Sequence, residues 1–313
     1  MKEFKLTTPV AFIIFNRPET TMQVFEVIRK VKPETLLVIA DGPRQQKEGE
    51  MGKCEETRKI IDSIDWECNL IKNYSDVNLG CKKRLSGGID WVFNQFEEAI
   101  FLEDDCLPDI SFFQFCQSLL EHYRDDEIIM NISGINFQFG KNSNGYSYYY
   151  SQFVHVWGWA SWKRAWQHYD PEMKQWPEVK RQNLLDKYFN SPRAKKYWCS
   201  EFDRTFNGKI DTWDHQWTYA CWLKNGLNII PNVNLVSNIG FGTGAVHTID
   251  SLNEFANIPF SKINFLLKHP SSIERNVEAD NYTQEDHFSP SLNYRIKIKV
   301  KKLFSKYLFN FPI

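Results

Sequence analysis

Four short strand-like segments, three of them apolar throughout and each followed by a polar or turn-forming residue, constrain most what the first hundred residues of this chain can become. Val10 to Phe15, Leu36 to Ala40, Cys68 to Tyr74 and Ala99 to Leu102 each have the length and composition of a strand. Stretches with helical spacing lie between them. Pro18 opens the first, whose apolar stripe runs through Val24, Val27, Ile28 and Val31. The second is expected near Glu55 to Ile64 and the third over Lys82 to Phe96. Alternation at this spacing builds a parallel sheet with crossover helices, and ligands then gather outside the carboxyl ends of the strands.

The character changes after about Asn136. A Gly/Asn/Ser turn at residues 140–145 leads into an aromatic stretch, and nine of the eleven tryptophans lie between Trp157 and Trp222. From about Ser251 the chain reads as loop, and it ends in a basic tail through Arg295, Lys297, Lys299, Lys301, Lys302 and Lys306. The expected class is α/β: a Rossmann-like, mostly parallel mixed sheet flanked by helices. Residues 1–135 form the ligand-binding half, 136–250 an aromatic-rich half, and 251–313 a C-terminal extension.

Composition narrows the function. A formal net charge of −1 lacks the basic excess of a nucleic-acid binder. Seven scattered cysteines without a CxxC pair fit reduced thiols, not a disulfide framework or zinc site. No run approaches the roughly 20 apolar residues of a membrane span, and the first apolar run is too short for a signal peptide. The expected location is cytoplasmic. The basic tail is amphipathic and adds an expected peripheral contact with the inner face of the membrane. A solvated terminal element is the equal alternative.

The segment richest in chemistry is Glu103-Asp104-Asp105, directly after the Ala99–Leu102 run. Three successive carboxylates repel one another, and a divalent cation neutralises them while keeping open positions for diphosphate oxygens. Three other strand ends are shaped for a ligand: Phe15-Asn16-Arg17, Ala40-Asp41-Gly42, and Asn78-Leu79-Gly80 ahead of Lys83-Arg84. Asp41 suits the N–H of a uracil-type base, while Arg17, Lys83 and Arg84 suit phosphate oxygens. Each alone also reads as a turn or a solvated face. Their occurrence at successive strand ends is what singles them out.

Strand-Arg, strand-Asp and strand-Glu-Asp-Asp in this order resemble the GT-A glycosyltransferases, most closely the N-acetylglucosaminyltransferase I family and its bacterial relatives. The resemblance spans most of residues 9 to 250. It implies an inverting enzyme of polysaccharide or cell-surface glycan synthesis that uses Mn²⁺ or Mg²⁺. The implied donor is a nucleotide diphosphate sugar, with UDP-N-acetylglucosamine the first choice, and the acceptor is a glycan or a lipid-linked chain. Residue by residue, the resemblance implies that Arg17 and Asp41 contact the nucleotide. Asp104 would lie beside ribose and diphosphate, and Asp105 would ligate the metal. Phe15, Asn16, Lys83, Arg84 and Glu103 complete the expected donor-binding set.

Trp213-Asp214-His215-Gln216-Trp217 resembles the family's Trp-Asp-Asp-Trp segment, whose second carboxylate is the base. The second acidic position holds His215, so Asp214 is the preferred base and His215 the alternative. The glycine-rich run from Gly240 to His247 resembles a donor-covering loop, with His247 a further candidate metal ligand. Trp157-Gly158-Trp159 is the expected acceptor platform, since indole faces pack against the C–H face of a sugar. Competing readings are a sugar nucleotidyltransferase and a non-catalytic carbohydrate-binding protein. The first lacks a glycine-rich, Lys/Arg-bearing triphosphate loop near the N-terminus, and the second leaves the clustered acids without a purpose.

Overall fold

The computed structural model describes residues 4–141, 145–241 and 255–289. The four strand-like segments become β1 (Val10–Ile14), β2 (Thr35–Ala40), β3 (Asn69–Tyr74) and β4 (Glu98–Glu103). The helices between them are α1 (Pro18–Val31), α2 (Glu50–Ile60) and α3 (Cys81–Phe93). Helix α2 starts five residues before the expected Glu55 because Glu50 is itself buried, bonded to Arg44 and Asn16. Next come β5 (Cys106–Pro108), α4 (Ile110–His122), β6 (Ile129–Ser133), β7 (Tyr148–Ser151) and β8 (Trp159–Trp162). Four helices and two strands complete the order: α5 (Lys163–Trp166), α6 (Trp176–Arg181), α7 (Pro192–Phe206), α8 (Asp214–Leu223), β9 (Leu227–Pro231) and β10 (Val236–Asn238). A last helix, α9 (Val277–Tyr282), runs into a π-helical turn, Thr283–Phe288, where the sequence reads as loop. Asn276 caps α9 by accepting from the Ala279 N–H at 3.0 Å, and buried Asp280 pairs with Arg275 at 3.0 Å.

Eight strands form one sheet in the order β3-β2-β1-β4-β8-β6-β9-β7, and β5 pairs with β10 in a separate ribbon. The pairs β3–β2, β2–β1 and β1–β4 are parallel, β8 is antiparallel to both its neighbours, and β6–β9 is parallel again. The aromatic-rich half thus continues the sheet of the first half.

Alternation along the central strands sorts the core. Val10, Phe12 and Ile14 of β1 face one layer with Val24, Phe25 and Ile28 of α1 and Phe112 of α4. Ala11 and Ile13 face the opposite layer with Leu85, Ile89 and Val92 of α3 and Trp217 of α8. Side chains alternate with period two, and a sheet covered on both faces needs apolar residues at every position. That is why these strands read as uninterrupted apolar runs. Eight of the nine clustered tryptophans are buried, so that stretch is mostly core.

The chain runs outward from β1 through β2 to β3, then returns to β4 on the other side of β1. Such a reversal opens a crevice at the strand ends. Its far wall depends on a close crossing of two loops. The Gly134 N–H donates to the Gly158 carbonyl at 2.7 Å, and a Cβ on Gly134 would sit 2.4 Å from Val236 and 2.9 Å from that carbonyl. Gly134→Ala should therefore lower unfolding stability by about 1–3 kcal/mol through overpacking. An unchanged urea midpoint would show that the crossing relaxes freely.

Candidate functional site

A cleft of about 430 Å³ opens at the carboxyl ends of β1, β2 and β4. Phe15 and Arg17 reach it from β1, Asp41 and Arg44 from β2, and Glu103, Asp104 and Asp105 from β4. Its opposite wall carries Trp157 and the segment from Asp211 to Asp214. Parallel pairing of β1 with β4, in register Ile13 to Glu103, places Arg17 beside the acidic triplet. Its Nη1 donates to Asp105 Oδ2 at 2.6 Å and lies 3.4 Å from Asp104 Oδ1.

One guanidinium does not balance these acids. Burial, then the charges of Asp105, Asp104 and Asp214, push Glu103 well above the usual carboxylate range. Burial and Asp105 raise Asp104 to about 7, opposed by Arg17 and by the Phe15 N–H, which donates to it at 3.1 Å. Burial alone would lower Arg17, but Asp104 and Asp105 hold it above its ordinary value. Among the described residues, no three His, Cys, Asp or Glu side chains form a metal-holding group. The oxygens of Asp104 and Asp105 do converge on one cationic atom, Arg17 Nη1, so the pair has the chemistry and aim of a two-carboxylate cation site.

Asp41 makes contacts of another kind. It accepts from the N–H groups of Gly42, Leu79 and Gly80 and from Asn78 Nδ2, at 2.9–3.2 Å. A carboxylate has about four lone-pair sites, so this loop takes its acceptor capacity. Burial still leaves its pKa above the ordinary value. Arg84 lines the cleft and donates to Asn73 Oδ1 at 3.1 Å, while its Nε is buried without a hydrogen-bond partner among the described residues. Lys83 is exposed and does not line the cleft. Asn16 donates to Glu50 Oε1 at 2.8 Å, supporting α2 instead of facing the cavity. The Phe15 ring lies under Arg44, 5.5 Å from the guanidinium carbon.

Asp214 begins α8 on the cleft wall. Its Oδ1 accepts from Thr212 Oγ1 and, at 2.9 Å, from the His215 N–H, and no donor among the described residues reaches Oδ2. The His215 ring turns to α7, where Nδ1 meets Thr205 Oγ1 at 2.9 Å. Trp157 is half-buried and lines the cleft. Trp159 is 1% exposed, stacked on Phe101 at 4.4 Å with Trp213 at 5.4 Å, and has no free face for an acceptor. Gly158 has φ +65° and a Cβ there would lie 2.7 Å from Val236, so backbone conformation and packing account for the glycine. His247 and the basic tail lie outside the described residues.

Sequence reasoning missed Arg44 and Asp211. Asp211 accepts from the N–H groups of Cys81 and Lys82 at 2.9 and 3.0 Å, capping α3 from 130 residues away. No local pattern marks so distant a cap.

No protein-family profile matches the sequence. No curated protein matches it either. Among solved structures, similarity is found to a UDP-glucose pyrophosphorylase complexed with UDP-glucose, at 12% identity, 46% coverage of this chain and TM-score 0.27. Only 62% of that enzyme's length is spanned. The 4-diphosphocytidyl-2C-methyl-D-erythritol synthase of Anaerococcus prevotii matches at 11% identity, TM-score 0.31, covering 50% of this chain and 72% of the other. HddC of Yersinia pseudotuberculosis matches at 8% identity, TM-score 0.30, covering 50% and 77%. Scores this low carry no argument about activity.

The two clasping aspartates should differ in cost. Asp41→Ala strands the N–H of buried Gly42 at about 1–3 kcal/mol and also releases the N–H groups of Leu79 and Gly80 on the partly exposed loop. Asp211→Ala removes an exposed cap worth about 0.5–2 kcal/mol. Urea unfolding should rank Asp41→Ala as the more damaging, and the reverse order would show that the 78–80 loop holds without its clasp.

Proposed function

We propose that this protein is an inverting glycosyltransferase of the GT-A type that moves a sugar from a nucleoside diphosphate donor to a glycan or lipid-linked acceptor. The observation that carries this reading is the gathering of Glu103, Asp104, Asp105, Arg17 and Asp214 around one cleft at the strand ends. Four acids and a guanidinium meet at a site large enough for a nucleotide sugar. Asp214, with one carboxylate oxygen that no donor among the described residues reaches, takes the proton of the acceptor hydroxyl as its oxygen attacks the anomeric carbon. The bond from that carbon to the diphosphate breaks, and the nucleoside diphosphate leaves with the electron pair. A divalent cation, Mn²⁺ or Mg²⁺, held by Asp105 with Asp104 beside it, would supply positive charge to the leaving diphosphate. Arg17 and Arg84 supply cationic hydrogen bonds to the donor, and Trp157 offers an indole to the acceptor. UDP-N-acetylglucosamine is the first donor to try.

Synthesis of a nucleotide sugar from a triphosphate is the competing chemistry. It needs a backbone cradle for phosphates, typically a glycine-rich loop entering a helix. The link from β1 to α1 is only Phe15-Asn16-Arg17, followed by Pro18, which has no N–H to offer. That observation favours sugar transfer.

Asp105→Ala should abolish metal-stimulated release of nucleoside diphosphate from the donor while the circular dichroism spectrum stays native. Full turnover of that variant, or of the parent in excess chelator, would remove the metal from the reading. Asp214→Asn should lower kcat by about 10²–10⁴-fold with little change in donor affinity, because a general base acts in the transition state. His215→Ala should cost far less. NMR of the product should show inverted anomeric configuration, and retention would end the assignment of Asp214.

A further inference from the structure

A second recess lies outside the cleft, along the exposed side of α7. Two adjoining hollows of about 400 and 330 Å³ share Lys196 and Cys199 and together follow the helix. Phe189 and Pro192 give the first an apolar surface, while Asn207 and Lys209 close the second. From Trp176 to Lys209 the chain carries eight Lys or Arg against four Asp or Glu, in a protein whose formal net charge is −1. All four acids are already engaged: Glu178 with Arg181, Asp186 with Lys195, Glu201 with Arg204 and Asp203 with Lys180. Lys196 and Lys209 are exposed and have no acidic partner among the described residues. The recess therefore presents uncompensated positive charge to solvent.

Its course gives it a destination. Helix α7 has 15 residues, about 22 Å of length, too long for a single phosphate and suited to a chain. The recess ends at Lys209, two residues before Asp211, which lines the catalytic cleft, and α8 carries Asp214 three residues further on. We propose that this recess is a track for an anionic glycan, carboxylated, sulfated or phosphorylated, whose end is delivered to the cleft. Half-buried Phe189 and exposed Pro192 meet the C–H faces of sugars, and the unpaired lysines meet the anions. Helix α7 itself carries Arg193, Lys195, Lys196 and Arg204 against Glu201 and Asp203, an excess far below the charge density of duplex DNA, about one per 1.7 Å, which favours a sparsely charged chain. Only the chain's role as acceptor rests on the transfer reading; its binding to α7 does not.

The probe is a hyaluronan octasaccharide, which carries a single carboxylate per disaccharide, titrated against the whole protein by calorimetry, with UDP binding measured in parallel. The parent should bind the octasaccharide, and added salt should weaken it. Lys196→Glu with Lys209→Glu should weaken it at least about tenfold, and Lys196→Arg with Lys209→Arg should restore it. A neutral oligosaccharide of equal length should bind at least about tenfold more weakly than the parent's anionic probe. Equal affinity of the parent and the Glu variant would overturn the track, as would an oligonucleotide or anionic vesicles binding more tightly than the glycan. If UDP fails to bind while the octasaccharide binding and its charge dependence hold, the donor reading falls and the track stands.

Discussion

Like-charge crowding at the end of β4 is the constraint around which this molecule is arranged. Three consecutive carboxylates leave the sheet where burial strengthens their mutual repulsion, because a low dielectric magnifies every Coulomb term. The fold meets this in two ways. It brings Arg17 from the neighbouring strand against Asp104 and Asp105, and it leaves Glu103 and Asp104 with proton affinities well above the carboxylate norm. Neither removes the excess. Such a site is costly to a folded chain and useful to a ligand that brings positive charge, which is why perturbed acids concentrate at functional clefts.

Two further aspartates are spent on the backbone, and this determines where phosphate oxygens can find partners. Asp41 holds the 78–80 loop through the N–H groups of Leu79 and Gly80 and the side-chain amide of Asn78, and Asp211 fills the N-terminus of α3. A helix N-terminus opening into a cleft is ordinarily an anion site. Here that position already holds a carboxylate, so the cationic groups left lining the cleft are the side chains Arg17, Arg44 and Arg84. Asp211 thus acts twice: it ties the segment carrying Asp214 to α3, and it keeps anions off the helix.

The central strands of the parallel half were legible because they are covered on both faces and so are written as unbroken apolar runs ended by polar residues, unlike the partly exposed edge strand β3. Val10 to Ile14 and Leu36 to Ala40 satisfy two layers at once, and no other arrangement explains an apolar residue at every position. The strand-end residues were legible for the same reason, since Arg17 and the acidic triplet interrupt those runs. Asp41 was read at the right place, but its partners lie in a loop 37–39 residues away, invisible to local pattern. Trp157 and Trp159 look alike in sequence, yet two steps along the chain move the indole from the cleft wall into the stack of Phe101 and Trp213. The tail beyond Ser289 and the Gly242–His247 segment lie outside the described residues.

Asp214 and His215 are neighbours in sequence but not in surroundings. At the start of α8 successive side chains diverge by about 100°, which turns the two toward different elements. Trp213 and Trp217, buried against Trp159, fix which way the helix is turned. With those indoles against the sheet, Asp214 faces the acids of β4 and His215 faces α7, where Thr205 takes its ring nitrogen. The tryptophan-rich half thus contributes to the chemistry chiefly by rigidity. Its packed indoles set the rotation of α8, and that rotation turns the Asp214 carboxylate to the cleft and the His215 imidazole to α7.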